Sequence, residues 1–160
     1  MDGPGEYVAD RTQGVTRLSD LPPPRVECRS RNYPSRRCPA CGRGTGRRRH
    51  VRVRLLHDLG DLRSDRPLDV RVTYSRHRCP RCRAHFCADT SDLAPPRGRY
   101  THRVIAVAVR LAVEDGLGYR AASWHLWRDH RVFVPWATVQ NWVEAAGEKR
   151  RAARRRRLRA

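Results

Sequence analysis

Six cysteines are the residues best equipped for chemistry, and four of them are spaced for it. Cys38-Pro39-Ala40-Cys41 and Cys79-Pro80-Arg81-Cys82 are two CxxC pairs, with 37 residues between Cys41 and Cys79. Each pair can fold into a tight knuckle whose thiolates converge, and two knuckles complete a tetrahedron around Zn²⁺ with Zn–S near ~2.3 Å. With cysteine at all four positions the site has no open coordination place, so one structural zinc ion is expected rather than a catalytic one. Pro39 and Pro80 fix φ inside the knuckles. Gly42 permits positive φ as the chain leaves the first, and Arg83 stands in that place in the second. A redox CxxC or plain buried cysteines would not call for a second pair at this spacing. Cys28 and Cys87 are left over; a ligand set drawing on His85 or Cys87 is the weaker alternative. His50, His57 and His77 are read as packed or exposed side chains rather than ligands.

The charge is as informative as the cysteines. Over 160 residues, 35 basic side chains face 16 acidic ones, a formal +19, and only Lys149 among the 35 is lysine. Residues 28–87 carry +13 and residues 148–160 carry +7. Four thiolates with Zn²⁺ would bring the total to +17. An arginine-rich codon bias explains the choice of arginine but not the missing acids, so a polyanion, usually nucleic acid, is the expected partner. The longest apolar run, Val104 to Val109, is six residues, against the ~20 that a membrane helix needs. No basic patch followed by an apolar stretch opens the chain, so no export signal is expected. A cytoplasmic, nucleoid-associated setting follows, where cysteines are read as metal ligands before disulfides.

The elements that must position these residues give an α+β reading. Residues 1–35, with Pro22-Pro23-Pro24 and no apolar periodicity, read as a disordered leader. In Arg47 to Asp58, Val51, Val53 and Leu55 alternate with Arg52 and Arg54, which has the period of a strand. After a turn-rich Gly60–Pro67 segment, Leu68, Val70, Val72 and Tyr74 alternate in a second strand, making a hairpin. His85, Phe86 and Cys87 suggest a short third strand. These make a small β zinc ribbon over 36–90, since about fifty residues with so little apolar content need a metal to fold. Ala94 to Gly98 reads as a linker. From 98 to 147 a three-helix module is expected. Its first helix, Thr101–Asp115, has Arg103, Arg110 and Glu114 as a narrow polar stripe and should be buried on most sides. A second spans Tyr119–Arg128, with Ala122, Leu126 and one or both of Trp124 and Trp127 inward. A third opens with Pro135 at its first position and places Val139, Trp142, Val143 and Ala146 on one face. Residues 148–160 form an arginine-rich tail.

Three such helices suggest a helix-turn-helix unit, although the link between the second and third is longer than the usual tight turn. The outer face of the third helix carries Ala137, Gln140, Asn141 and Glu144, which are base-reading residue types. Arg120, Arg128 and Arg131, with Arg150 and Arg151 in the tail, are the expected phosphate contacts. The sequence Cys38-Pro39-Ala40-Cys41-Gly42, Leu56-His57-Asp58-Leu59, Cys79-Pro80-Arg81-Cys82, Gly118-Tyr119-Arg120-Ala121-Ala122 and Thr138-Val139-Gln140-Asn141-Trp142-Val143, in that order, resembles the N-terminal half of bacterial insertion-sequence transposases of the ISL-three type. The resemblance covers about residues 36–147. It implies recognition of terminal inverted repeats in double-stranded DNA, and in that family an Asp-Asp-Glu catalytic domain with a divalent metal follows. Only thirteen residues follow Gly147 here, so the expectation is a non-catalytic DNA-binding protein, acting alone as a regulator, as a homodimer, or beside a separate catalytic transposase chain. The alternative from another class is an RNA- or ribosome-associated zinc-ribbon protein.

Overall fold

The computed structural model describes residues 22–157 as a five-stranded sheet and three helices. The strands are β1 (Arg25–Arg31), β2 (Ser35–Arg37), β3 (Thr45–Asp61), β4 (Arg66–Arg78) and β5 (His85–Cys87); the helices are α1 (His102–Val113), α2 (Tyr119–His130) and α3 (Trp136–Arg157). The sheet runs β1-β4-β3-β2, with β5 also paired to β4. The architecture is thus mixed α+β. Most of the expected leader, residues 1–21, lies outside the described residues, but Arg25–Arg31 is strand rather than leader. Its side chains are mostly exposed, so it is held as a sheet edge by backbone pairing rather than by an apolar face, which is why no periodicity announced it.

The chain divides into two compact units. One comprises Arg25–His57 and Asp69–His102 and contains both CxxC pairs. Its apolar core is small: Leu56, Val70, Val72 and Ala94, with Leu93 packed against them. The hairpin of β3 and β4 is present as expected. Val51, Val53 and Leu55 are exposed at 47%, 61% and 45%, while Leu56 is fully buried. Arg54 shares the side of Leu56 and donates to the carbonyls of Pro95 and Gly98, so its stem covers apolar surface while its head satisfies a turn. On β4 the buried positions run Leu68, Val70, Val72 and then Ser75, His77. The alternation slips by one residue, as a bulge would make it, and Tyr74 leaves the inner face. His77 is stacked on Phe86 at 5.2 Å. Its Nδ1 lies 3.1 Å from the Gly46 carbonyl, which can only accept, so Nδ1 carries a proton; Nε2 meets Ser75 Oγ at 2.8 Å.

The other unit holds, among the described residues, the hairpin tip Asp58–Leu68 and the chain from Arg103 onward. Arg103 donates to the buried Asp58 carboxylate at 3.2 Å. On α1 only Val104 and Ala108 are buried, so the helix is covered along a narrow stripe and not on most sides. Gly116 closes it at φ +71°, where glycine has no Cβ to clash. In α2, Ala122, Leu126 and Trp127 are buried as expected, and Ser123 joins them. The helix ends on Arg131 at φ +49°. The Arg131 N–H donates to Trp127 O and the Val132 N–H to Leu126 O, so the helix closes through a left-handed end with arginine in the usual glycine place. Pro135 sits one residue earlier than expected, at the N-cap, its carbonyl accepting from the Val139 N–H. On α3 Val139 is fully buried, and Trp142, Val143 and Ala146 are half-buried. The helix continues through the expected tail as far as Arg157.

The link between α2 and α3 depends on one buried hydroxyl. Ser123 Oγ donates to the Val134 carbonyl at 2.5 Å, and both residues are fully or nearly fully buried. Ser123→Ala strands that carbonyl and is expected to lower stability by about 1–3 kcal/mol. A urea transition followed by helical circular dichroism checks this: the midpoint should fall with the slope unchanged.

Candidate metal centre

The two CxxC pairs come together as the spacing predicts. The Sγ atoms of Cys38, Cys41, Cys79 and Cys82 all lie within 4.8 Å of one another. Across the knuckles, Cys38 and Cys82 sulfurs are 3.6 Å apart and those of Cys41 and Cys79 are 3.8 Å apart. A tetrahedron with metal–sulfur bonds of ~2.3 Å has edges of about 3.8 Å. The four thiols therefore fit a tetrahedral thiophilic ion with little movement.

Local backbone chemistry builds each knuckle. The Cys38 N–H donates to Gly44 O and the Gly42 N–H to Cys38 O, at 2.8 and 2.9 Å; in the second knuckle Cys79 N–H donates to Ala84 O at 2.9 Å. Gly42 has φ +63° and Arg83, the residue in the matching place, has φ +60°. The left-handed conformation costs a side-chain-bearing residue ~1–2 kcal/mol, so the second knuckle is made with strain the first avoids. Arg37 Nε donates to Gly42 O and ties the first turn to β2. Gly44 is the residue sequence reasoning missed: a Cβ there would overlap Cys79 Sγ. Its only advance signal was the alternate glycine pattern Gly42, Gly44, Gly46.

The thiols are electrostatically unequal. Backbone N–H groups of Arg43 and Gly44 hold the Cys41 thiol down to about 6, and those of Cys82 and Arg81 lower Cys79, although desolvation opposes them. At Cys82 the Ala84 N–H also lowers the value, but desolvation and the neighbouring Cys38, Cys79 and Cys41 sulfurs outweigh it and push the thiol up to about 11. Four mutually close sulfurs cannot all ionise without a cation among them. Cys28 and Cys87 are exposed and lie outside the cluster, as does the buried His77, which is engaged by Ser75 and Gly46; His85 and His50 are exposed. His57 is bound to Asp69 at 2.8 Å.

The expected nucleic-acid contacts fall into two groups. Arg120 is exposed and lies over the Trp136 ring, 5.3 Å from its centroid. Asn141 and Ala137 are exposed and Gln140 is half-buried, its Nε2 donating to Glu144 Oε1 at 2.8 Å. Arg151 is exposed, with Nε 3.5 Å from Gly147 O; Arg150 lies on α3 with its side chain outside the described residues. Arg131 differs. It is only 4% exposed, paired to Asp65 and donating to the Trp127 and Arg128 carbonyls, so its charge is spent inside the fold. Arg128 is paired with Asp129 at 2.7 Å. No helix among the described residues is long and apolar enough to cross a membrane. No family model, curated protein or solved structure matches this chain.

The geometry leads to a metal prediction. The protein is expected to bind one thiophilic divalent ion per chain, with Cys38→Ser or Cys79→Ser abolishing uptake and Cys87→Ser leaving it intact, as measured by metal analysis after gel filtration. Chelation should expose the four thiols to a colorimetric reagent while retaining most of the helical signal. Loss of the whole helical signal would show that the two units fold only together.

Proposed function

We propose that this chain is a double-stranded-DNA-binding protein that contains a zinc ribbon and a helix-turn-helix, and that α3 reads the major groove. The observation that carries the reading is the division of α3 into two faces. Val139 is fully buried, while Ala137 and Asn141 stand exposed with Gln140 and Glu144 beside them. Asn and Gln can bond bidentately with adenine, Glu accepts from cytosine N4, and Ala meets a thymine methyl. The hydrogen bond between Gln140 and Glu144 fixes the amide, so a base contact would exchange one partner for another instead of ordering a free side chain.

Phosphate contacts in this reading come from Arg120, Arg151 and the basic end of α3, with Arg131 removed from the set because it caps α2. The donor set of four thiolates favours zinc among abundant ions, since soft ligands in tetrahedral array suit it. The resemblance to ISL-three-type transposases would make terminal inverted repeats the target, with the protein serving as a regulator, as a homodimer or as the binding partner of a catalytic chain. The rival reading, an RNA- or ribosome-associated protein, draws on the metal unit, whose eighteen arginines face four carboxylates.

A duplex competition assay separates the two. Gln140→Ala is expected to relax base preference with little loss of overall affinity, about 1–3 kcal/mol of discrimination at one position. Deleting residues 149–160 should weaken all duplexes alike and flatten the salt dependence. A protein that prefers structured RNA over every duplex, and ignores Gln140→Ala, would replace this reading with the rival.

A further inference from the structure

The arginines of the metal unit are not spread evenly over it. A cleft of about 510 Å³ is walled by Thr45, Arg47 and Arg49 of β3 on one side and by Arg78, Pro80 and Arg83 around Cys79 on the other. Arg47 and Arg49 are two apart on a strand, so they project to the same side about 6.8 Å from one another. None of the ion pairs among the described residues involves any of the four. The nearest compensation is the thiolate cluster itself, at −2 once a divalent ion is held, which leaves four guanidiniums with an excess of +2 at the cleft. Four like charges gathered without carboxylates repel one another unless an anion joins them.

Arg83 sharpens the point. Its backbone lies at φ +60°, where the first knuckle uses Gly42, so glycine would serve the turn better. Arginine stands there at a conformational cost and is among the residues that line the cleft. Strain of this sort concentrates where a side chain is needed for more than folding.

We propose that this cleft is a phosphate-backbone groove, in which Arg47, Arg49, Arg78 and Arg83 bind successive phosphodiesters of a DNA duplex, and that Arg83 is kept in its unfavourable conformation for that purpose. The proposal rests on the duplex-binding reading and adds a second contact region to it. The walls come from β3 and the second knuckle.

The test uses the full-length, metal-loaded protein and fluorescence anisotropy with a labelled duplex over a salt series. Arg83→Gly is expected to keep its metal and to melt no lower than the parent, yet to bind the duplex about fivefold more weakly, with the salt slope reduced by about one phosphate contact. Arg83→Lys should restore the slope. Arg47→Ala with Arg49→Ala should cost more than Arg83→Gly. Arg97→Gly is the control: Arg97 also has positive φ, +59°, but lies outside the cleft, and its loss should leave affinity within about twofold. Inorganic triphosphate should compete with duplex on the parent and not on the double variant. Parent-like affinity and salt slope in both Arg83→Gly and the double variant overturn the groove. If Gln140→Ala still alters base preference in that case, duplex reading by α3 survives without it. A parent that retains no duplex overturns both. Triphosphate that binds the cleft without displacing duplex would identify a free-phosphate site instead and would also overturn the proposal.

Discussion

Mutual repulsion among like groups is the constraint on which the metal unit turns. Four sulfurs sit within 4.8 Å of one another in a unit whose apolar core amounts to Leu56, Val70, Val72, Ala94 and Leu93. The same unit carries eighteen arginines, against Glu27, Asp69, Asp89 and Asp92. So small a core offers little against chain entropy. A cation bound by four thiolates changes both sides of that balance: it ties two distant hairpin ends together, and it converts crowded sulfurs from mutual hindrance into ligands. In such domains binding energy and folding energy are the same quantity.

The helical unit is organised on a different principle. Its stability comes from side chains that meet across α2 and α3, with Leu126, Trp127, Val132, Val134 and Val139 all buried, and from exact use of backbone groups at the ends of α2. Arg131 and Ser123 close those ends from within. What is left outside is a helix poor in acids at its far end and rich in amide and small side chains at its near end. The division of labour is therefore between a unit that concentrates charge and a unit that offers shape.

Much of this could be read in the residues beforehand, and the failures have physical causes. The CxxC spacing located all four cysteines of the cluster, because knuckle geometry is local and leaves little choice. Hairpin periodicity found β3 and β4 but left open which face of β3 lies inside. Alternation reports a period, not a direction, and Arg54 could occupy the inner side because the carbonyls of Pro95 and Gly98, distant in sequence, were waiting for it. β1 carried no apolar signal because an edge strand needs only its backbone. Arg131 looked like a surface cation until its left-handed backbone and the Asp65 carboxylate fixed it inside. The slip of alternation in β4, where burial passes from Val72 to Ser75, had no mark in the sequence at all. In each case the missing information was a partner many residues away.

The unbroken run of α3 from Trp136 to Arg157 sets an angular relation as well as a length. Eleven residues on a helix amount to three turns and a small remainder, about 16.5 Å of axial rise. Arg151 therefore shares the azimuth of Gln140, with Glu144 and Gly147 between them on one stripe. The spacing between the amide-bearing turn and Arg151 is thus a matter of rotational phase: one residue inserted after Gly147 would turn Arg151 by about 100° about the helix axis, with the charge of the segment unchanged.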